Sequence, residues 1–196
     1  ISEDGLRKQT IREHLSGTAK LAGEFASVFG CKTWGAGCGW YHDIGKYSDR
    51  FQKRLSGGPR TDHATAGAQE LYKKNIAAAY CIAGHHSGLL DGGTVGDSGG
   101  EATLWGRIKK RVEDYRAFQA EVPEQDFGVP PLRQIGKGGF SLSFLIRILF
   151  SCLVDADYLD TEAFMSDGET VRGGYDSVNT LYERLMNHID PWLDNN

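Results

Sequence analysis

The stretch FSLSFLIRILFSCLVDAD, residues 140–157, decides the fold of this chain. It is apolar on nearly every side, which predicts a central helix that is buried all round. Its most apolar part, 140–154, contains Arg147 and three serines and is too short to span a bilayer. The stretch ends in two carboxylates, Asp155 and Asp157, and a buried carboxylate is costly unless it is paired or binds a metal.

Helical periodicity continues on both sides of this stretch. Apolar residues at helical spacing predict a helix over 10–29, with Thr10 and Glu13 as a capping box and Gly30 as its end. No segment alternates apolar and polar residues with a period of two, so the sequence predicts an all-α fold. Further helices are expected at 34–43, 48–55, 61–74, 76–85, 101–120 and 175–189, with long loops at 88–100 and 122–139.

Composition narrows the class of protein. The 196 residues suffice for one domain with its own core, and 40% hydrophobic residues are ordinary for a soluble globular protein. A formal net charge of -4 argues against a protein that holds nucleic acid by its overall field alone, although bound cations would reverse the sign locally. The four cysteines form no CxxC pair, so we expect no disulfide framework and a cytoplasmic location.

Five of the six histidines fall in four short motifs, EHL, HDIGK, DHA and GHHSG, which a helical bundle can turn inward around one centre. Imidazole and carboxylate together suit borderline divalent ions, and one Asp can bridge two of them. A two-metal site, with ions about 3.5–4 Å apart, activates water against a phosphodiester without a serine or cysteine nucleophile. The candidate ligands are His14, His42, Asp43, His63, His85, His86 and Asp155.

Each of these signals is weak by itself. His14 alone would more often be a histidine on a helix surface, and His63 could simply help to cap a helix. Asp155 could be a buried carboxylate satisfied by hydrogen bonds. Lys46, one turn beyond Asp43, is either a point charge beside a scissile phosphate or a solvated surface lysine. Taken together, the motifs favour a metal site.

The finer pattern resembles a known family. Four segments carry the resemblance: HDIGKYSDRFQKRL (42–55), DHATAGAQEL (62–71), GHHSGLLDGG (84–93) and SCLVDADYLDTE (151–162). They resemble the HD superfamily of metal phosphohydrolases and, more narrowly, the N-terminal HD nuclease domain of the type I CRISPR-associated nuclease-helicase. The doubled histidine and the DADYLDTE segment make the match specific, because a generic HD hydrolase needs only the first histidine, the HD pair and the late Asp.

This resemblance implies a helical bundle around a two-metal centre, with residues 1–196 forming a single HD nuclease domain at the N-terminal end of a longer nuclease-helicase. It implies metal-dependent cleavage of single-stranded DNA during CRISPR interference. The expected partners are a helicase domain of the same or a partner chain and the guide-RNA effector complex, with no membrane. The two ions would be manganese, nickel, cobalt, iron or magnesium, and histidine-rich ligation disfavours magnesium alone.

The resemblance also implies a role for each candidate residue. Asp43 would bridge the ions and act in catalysis together with Lys46, which matches the family's lysine beside the site. The first ion would take His14, His42, Asp43 and Asp155, and the second would take Asp43, His63, His85 and His86.

Two other functions stay open on the sequence. An HD phosphohydrolase acting on nucleotides or cyclic dinucleotides would use the same metals in a smaller, closed pocket. A structural or docking domain would use the metal only to stabilise its fold, but the sequence offers more potential ligands than such a site needs.

Two basic clusters could follow a DNA backbone. We favour a DNA role for the basic residues of 46–60, because they adjoin the HD pair, and an ordinary solvated helix face for those of 107–116. Trp40, at helical spacing, is expected in the core although aromatic residues can stack on single-stranded bases.

Overall fold

Eight α-helices and two short 3-10 helices make up the regular structure of the computed structural model, which describes residues 5–129, 138–166 and 173–193. None of these residues forms a strand, so the predicted all-α fold is confirmed. The α-helices are α1 (Ile11–Ser27), α2 (Lys32–Tyr41), α3 (Asp49–Leu55), α4 (Ala64–Leu71), α5 (Ile76–Gly84), α6 (Leu104–Lys109), α7 (Gly138–Met165) and α8 (Val178–Leu193). The 3-10 helices are Ile44–Tyr47 and Arg116–Ala120.

The first helix begins where the sequence predicts. The Thr10 side chain accepts from the Glu13 amide, and the Glu13 carboxylate accepts from the Thr10 amide, which completes the capping box. Beyond its end, Gly30 adopts a φ of 76°, a left-handed conformation that suits glycine. The next helix therefore starts close by and can fold back along α1.

Helices α1 and α2 pack unusually close together because small residues line their contact. A Cβ atom at Gly39 would lie only 2.4 Å from the Cα of Ala19. Any larger residue at this position would push α2 away from α1. The close approach matters for the site, because His14 lies on α1 and His42 follows α2 directly.

The long helix α7 packs against α1, α2 and α5, but on one side only. Leu149, Leu153 and Ala156 are fully buried, whereas Phe140 and Phe144 are exposed. The prediction of a helix buried all round is therefore wrong for the described residues, because the bundle covers a single stripe of it. The cysteines on this and neighbouring helices are free and buried, in agreement with the expected absence of a disulfide framework.

The same helix is longer than the sequence suggests, reaching Met165. By length and composition alone, Gly139–Met165 would suffice to cross a membrane. The apolar run 140–154 is too short to do so, but the whole helix is not. Core helices of soluble proteins meet the same criterion. In the carboxyl-terminal half of α7, Asp157 and Asp160 reach His14 on α1.

The charged segment 101–120 is not one helix, contrary to prediction. Helix α6 ends after Lys109, and a separate 3-10 helix follows at Arg116–Ala120. The side-chain amide of Gln69 donates to the carbonyls of Arg107 and Lys110 and so caps the carboxyl-terminal end of α6. The partner for these carbonyls comes from a segment distant in sequence, which the local helical pattern does not reveal.

The predicted loops and the last helix are partly confirmed. Residues 88–100 form a loop, closed by an isolated bridge between Asp91 and Thr103. Of the predicted loop 122–139, residues 123–129 have no regular structure and 130–137 lie outside the described residues. Helix α8 forms, but its large apolar side chains Leu181, Leu185 and Trp192 remain at least half exposed.

Candidate metal centre

The adjacent residues His42 and Asp43 lie where α2 passes into the first 3-10 helix, and both are fully buried. The backbone of the next element approaches them closely at Gly45, where a Cβ would lie 2.3 Å from the carbonyl oxygen of His63. Glycine at this position therefore allows the start of α4 to press against the pair. Two segments that are distant in sequence meet here without a side chain between them.

Asp43 presents its two carboxylate oxygens to two different sets of histidines. Its Oδ2 lies 3.3 Å from His42 Nε2 and 3.6 Å from His14 Nε2. Its Oδ1 lies 3.3 Å from His63 Nε2 and 3.5 Å from His85 Nε2. The carboxylate is thus the common member of two clusters of potential ligands.

The first group consists of His14, His42 and Asp157, which border the Oδ2 side of Asp43. Asp157 reaches in from α7, with its Oδ1 3.3 Å from His14 Nε2 and 3.6 Å from His42 Nε2. The ligand atoms of His14, His42 and Asp43 lie within 4.8 Å of one another. Only Asp157 is appreciably exposed among them, at 22% of its side chain.

The second group consists of His63, His85 and His86, which border the Oδ1 side. With Asp43 they also place their ligand atoms within 4.8 Å of one another. His63 and His86 face each other directly, with 2.7 Å between their Nε2 atoms. The His86 side chain is 50% exposed, so this group opens to solvent.

Hydrogen bonds fix the orientation of four imidazole rings. The Nδ1–H of His42, His63 and His85 donates to the backbone carbonyls of residues 39, 61 and 82, at 2.7, 3.2 and 2.8 Å. Because a carbonyl can only accept, each Nδ1 must carry a proton, and the neutral ring leaves its Nε2 lone pair towards Asp43. The exception is His14, whose Nδ1 donates to the Asp160 carboxylate at 2.8 Å.

Carboxylates dominate the electrostatics of the first group. Burial disfavours the charged form of His14, but the carboxylates of Asp157, Asp160 and Asp43 outweigh burial and raise its pKa to about 10. The pKa of His42 is also raised, against burial, by Asp43 and Asp157. Although burial opposes ionisation of Asp43, the charges of His42 and Lys46 hold its pKa well below the usual range. The first group is therefore strongly charged in the metal-free protein.

The second group behaves in the opposite way. Burial lowers the pKa of His63, although the charge of Asp43 and the hydrogen bond to the Thr61 carbonyl oppose that effect. Burial and the neighbouring His85 lower the pKa of His86 to about 4. These two rings are neutral at physiological pH, which is the protonation state that a metal ligand requires.

The buried polar atoms of the centre indicate that it suits a cation. Among the described residues, neither carboxylate oxygen of Asp43 accepts a geometrically sound hydrogen bond, and the Nε2 of His85 has no hydrogen-bond partner. Buried polar atoms without partners are costly and usually mark an ion or water. The Lys46 ammonium also pairs with Oδ2 of Asp43. Converging imidazole and carboxylate donors therefore fit a divalent metal ion, as predicted.

One predicted ligand does not lie in the centre. Asp155 is exposed on the outer side of α7, near Phe25 and Tyr158, and Asp157 lies beside His14 instead. Residues two apart on an α-helix point about 200° away from each other, so only one of the two can face the centre. The sequence singled out both carboxylates, but not the helical phase that selects between them.

Asp160 was missed altogether by reasoning from the sequence. It lies three residues after Asp157 and therefore on the same face of α7, which is the one signal that could have identified it. The other six predicted ligands, His14, His42, Asp43, His63, His85 and His86, all converge in the structure.

The two predicted basic clusters differ in how far their cations are available to a ligand. The first cluster includes Lys53 on α3, which points to solvent. The same helix contacts the centre through Phe51, whose ring lies 5.0 Å from that of His63. In the second cluster two cations are engaged internally, since Arg107 and Lys110 both pair with Asp62. Trp40, expected in the core, is half-buried and packs against it.

Comparisons with known proteins supply no identity for this chain. Its sequence matches no protein-family model, and no curated protein is detectably similar to it.

Proposed function

We propose that this chain is a metal-dependent nuclease that hydrolyses phosphodiester bonds in single-stranded DNA, with an HD-type bundle holding two divalent ions. One observation carries the proposal: Asp43 turns Oδ2 to the first group and Oδ1 to the second. A carboxylate that serves one ion needs histidines on one side only. The arrangement on both sides suits a bridging ligand between two ions.

The first group, with Asp157 as its second carboxylate, would hold one ion, and the second group would hold the other. When bound, such a pair of ions activates water and neutralises the charge that develops on a phosphodiester. The protein holds the ligands in place with backbone carbonyls behind His42, His63 and His85. Lys46 adds a positive charge beside Asp43 that can meet a phosphate oxygen.

A long, thin substrate suits the surroundings of the centre. The second group reaches solvent at the half-exposed His86, and exposed cations at Lys53 and Arg60 lie on or beside the neighbouring α3. Cationic side chains next to an open site can follow a phosphate backbone. In the second basic cluster, Arg107 and Lys110 pair with Asp62, so these two cations are less available to a phosphate backbone.

The choice of single-stranded DNA and of CRISPR interference rests on the motif resemblance. The same motifs lead us to propose a helicase domain and a guide-RNA effector complex as partners and a cytoplasmic location. The metals proposed are manganese, cobalt, nickel or iron, with magnesium less suited to a histidine-rich site.

A cleavage assay across metals tests the proposal. The purified chain, stripped with chelator and reloaded with each metal, is given single-stranded DNA, duplex DNA, a mononucleotide and a cyclic dinucleotide. We expect cutting of single-stranded DNA that Asp43→Ala abolishes, while Asp190→Ala, which removes an exposed carboxylate of α8, leaves it unchanged. Turnover of a nucleotide without any DNA cutting would instead identify a nucleotide phosphohydrolase.

A further inference from the structure

The ring of His14 is held differently from the other oriented histidines of the centre. His42, His63 and His85 each donate through Nδ1 to a backbone carbonyl within three residues of their own position. His14 donates instead to the carboxylate of Asp160, which lies 146 residues further along the chain on α7. Its orientation therefore depends on a contact between two helices.

The carboxylate of Asp160 is itself fixed in place. The same Oδ2 that accepts from His14 also accepts from the Gln9 side-chain amide at 2.9 Å. The other oxygen fills a recess on α1 at Gly17, where a Cβ atom would lie 1.8 Å from Oδ1. Any residue larger than glycine at position 17 would displace the carboxylate. Gly17 thus leaves room for Asp160 to approach His14.

We propose that Asp160 is a positioning residue of the metal centre, which holds the Nε2 of His14 towards Asp43 and Asp157 and which requires glycine at position 17. This inference rests on the proposed metal centre and adds to it a residue outside both ligand groups. A carboxylate behind a histidine ligand fixes the ring and increases its basicity as a donor. Backbone carbonyls do the same for the other three rings with less charge, so Asp160 makes His14 the strongest imidazole donor of the centre.

Three variants test this role. Asp160→Ala removes the acceptor, and Gly17→Ala displaces it without changing any ligand. Asp160→Asn keeps an oxygen that can accept from Nδ1–H but carries no charge, so it is the conservative variant. The matched controls are Ser16→Ala, an exposed neighbour of Gly17 on α1, and Asp190→Ala on α8.

The first readout is Mn²⁺ affinity, measured by calorimetry on the purified chain. We expect Asp160→Ala and Gly17→Ala to weaken binding about 10- to 100-fold, the range for removal of a partner behind a ligand. Asp160→Asn should recover part of that loss, and both controls should bind as the unchanged protein does. Equal affinity in Asp160→Ala and the unchanged protein would overturn the proposal.

The second readout needs no metal and separates this inference from the proposed function. Crystal structures of the metal-free variants should show the His14 ring rotated in Asp160→Ala and Gly17→Ala but retained in Asp160→Asn and both controls. An unmoved ring in Asp160→Ala would overturn the positioning role even if the protein binds two ions. If the unchanged chain binds no metal, the proposed function fails, while a rotated ring would still support the positioning of His14 by Asp160.

Discussion

The two groups of the candidate centre contain different kinds of side chain. The first group combines two imidazoles with Asp157, lies largely buried, and has Asp160 behind one of its rings. The second group is three imidazoles, and half of the His86 side chain faces solvent. Both groups share Asp43, so the difference between them comes from their outer neighbours. Carboxylates raise the pKa values of His14 and His42 on one side, whereas on the other side burial lowers those of His63 and His86 although Asp43 opposes it.

From this difference we expect the two proposed ions to differ in binding strength and in access to the substrate. A site with more carboxylate charge binds a divalent cation more firmly and must first lose its protons. On the other side His63 and His86, whose pKa values are lowered, have no proton to lose, and the open position of His86 lets this site exchange its ion and meet the substrate more readily. The first group is therefore expected to hold the more tightly bound ion, and the second to be the side that faces DNA.

The largest effect should come from removing the second carboxylate of the first group. Asp157→Ala is expected to weaken the tighter Mn²⁺ binding step by about 100-fold and to slow DNA cleavage accordingly. Asp155→Ala, two residues away and exposed, should change neither. Calorimetry measures the Mn²⁺ affinity of both variants. A larger loss of affinity in Asp155→Ala than in Asp157→Ala would show that Asp155 is the ligand and that this face of α7 turns towards the centre.

The pH dependence of metal affinity should also distinguish the two groups, because protons compete with metal ions for the histidines. Because the pKa of His14 is raised to about 10, a metal ion must displace its proton at any pH below that value, so affinity at the first group should rise with pH. Each displaced proton corresponds to a roughly tenfold change per pH unit. The pKa of His86 is lowered to about 4, so its ligation should not depend on pH between about 6 and 8.

Metal titrations at several pH values measure this slope for each binding step. Two steps with the same slope would remove the proposed distinction between the groups.

Replacing Lys46 should have a smaller effect on metal affinity, confined to the first group. Its ammonium pairs with Oδ2 of Asp43, the oxygen of the first group, so an incoming ion has to displace it. Lys46→Met should therefore tighten the first binding step by up to about tenfold, since a partly exposed ion pair is modest in strength. The same variant should slow cleavage, because a positive charge near the phosphate is lost. Tighter binding with unchanged cleavage would leave Lys46 without a catalytic role.

The smallest effect concerns stability. His86→Ala alters a half-exposed side chain and should change the metal-free free energy of unfolding by less than about 0.5 kcal/mol. His42→Ala empties a fully buried position and should cost more than about 1 kcal/mol. Chemical denaturation of both variants measures the contrast, and equal losses would mean that the two sides are equally embedded in the fold.

Much of this arrangement can be predicted from the sequence because helical periodicity and capping are local. Thr10 and Glu13 identify the start of α1, and the histidine motifs identify six of the residues that converge in the centre. Three features depend on contacts between distant segments and are not visible locally: the phase of α7 that turns Asp157 inward, the side chain of Gln69 that caps the end of α6, and the recess at Gly17 for Asp160. The local sequence pattern predicts the helices, and the packing between helices determines which residues reach the centre.

Asp43 is proposed to join two ions, and anomalous diffraction from crystals soaked in Mn²⁺ tests this most directly. Two peaks about 3.5–4 Å apart, one at each oxygen of Asp43, are expected, with Asp157 beside the first and His86 beside the second. A single peak, or two peaks that do not share Asp43, would contradict the account.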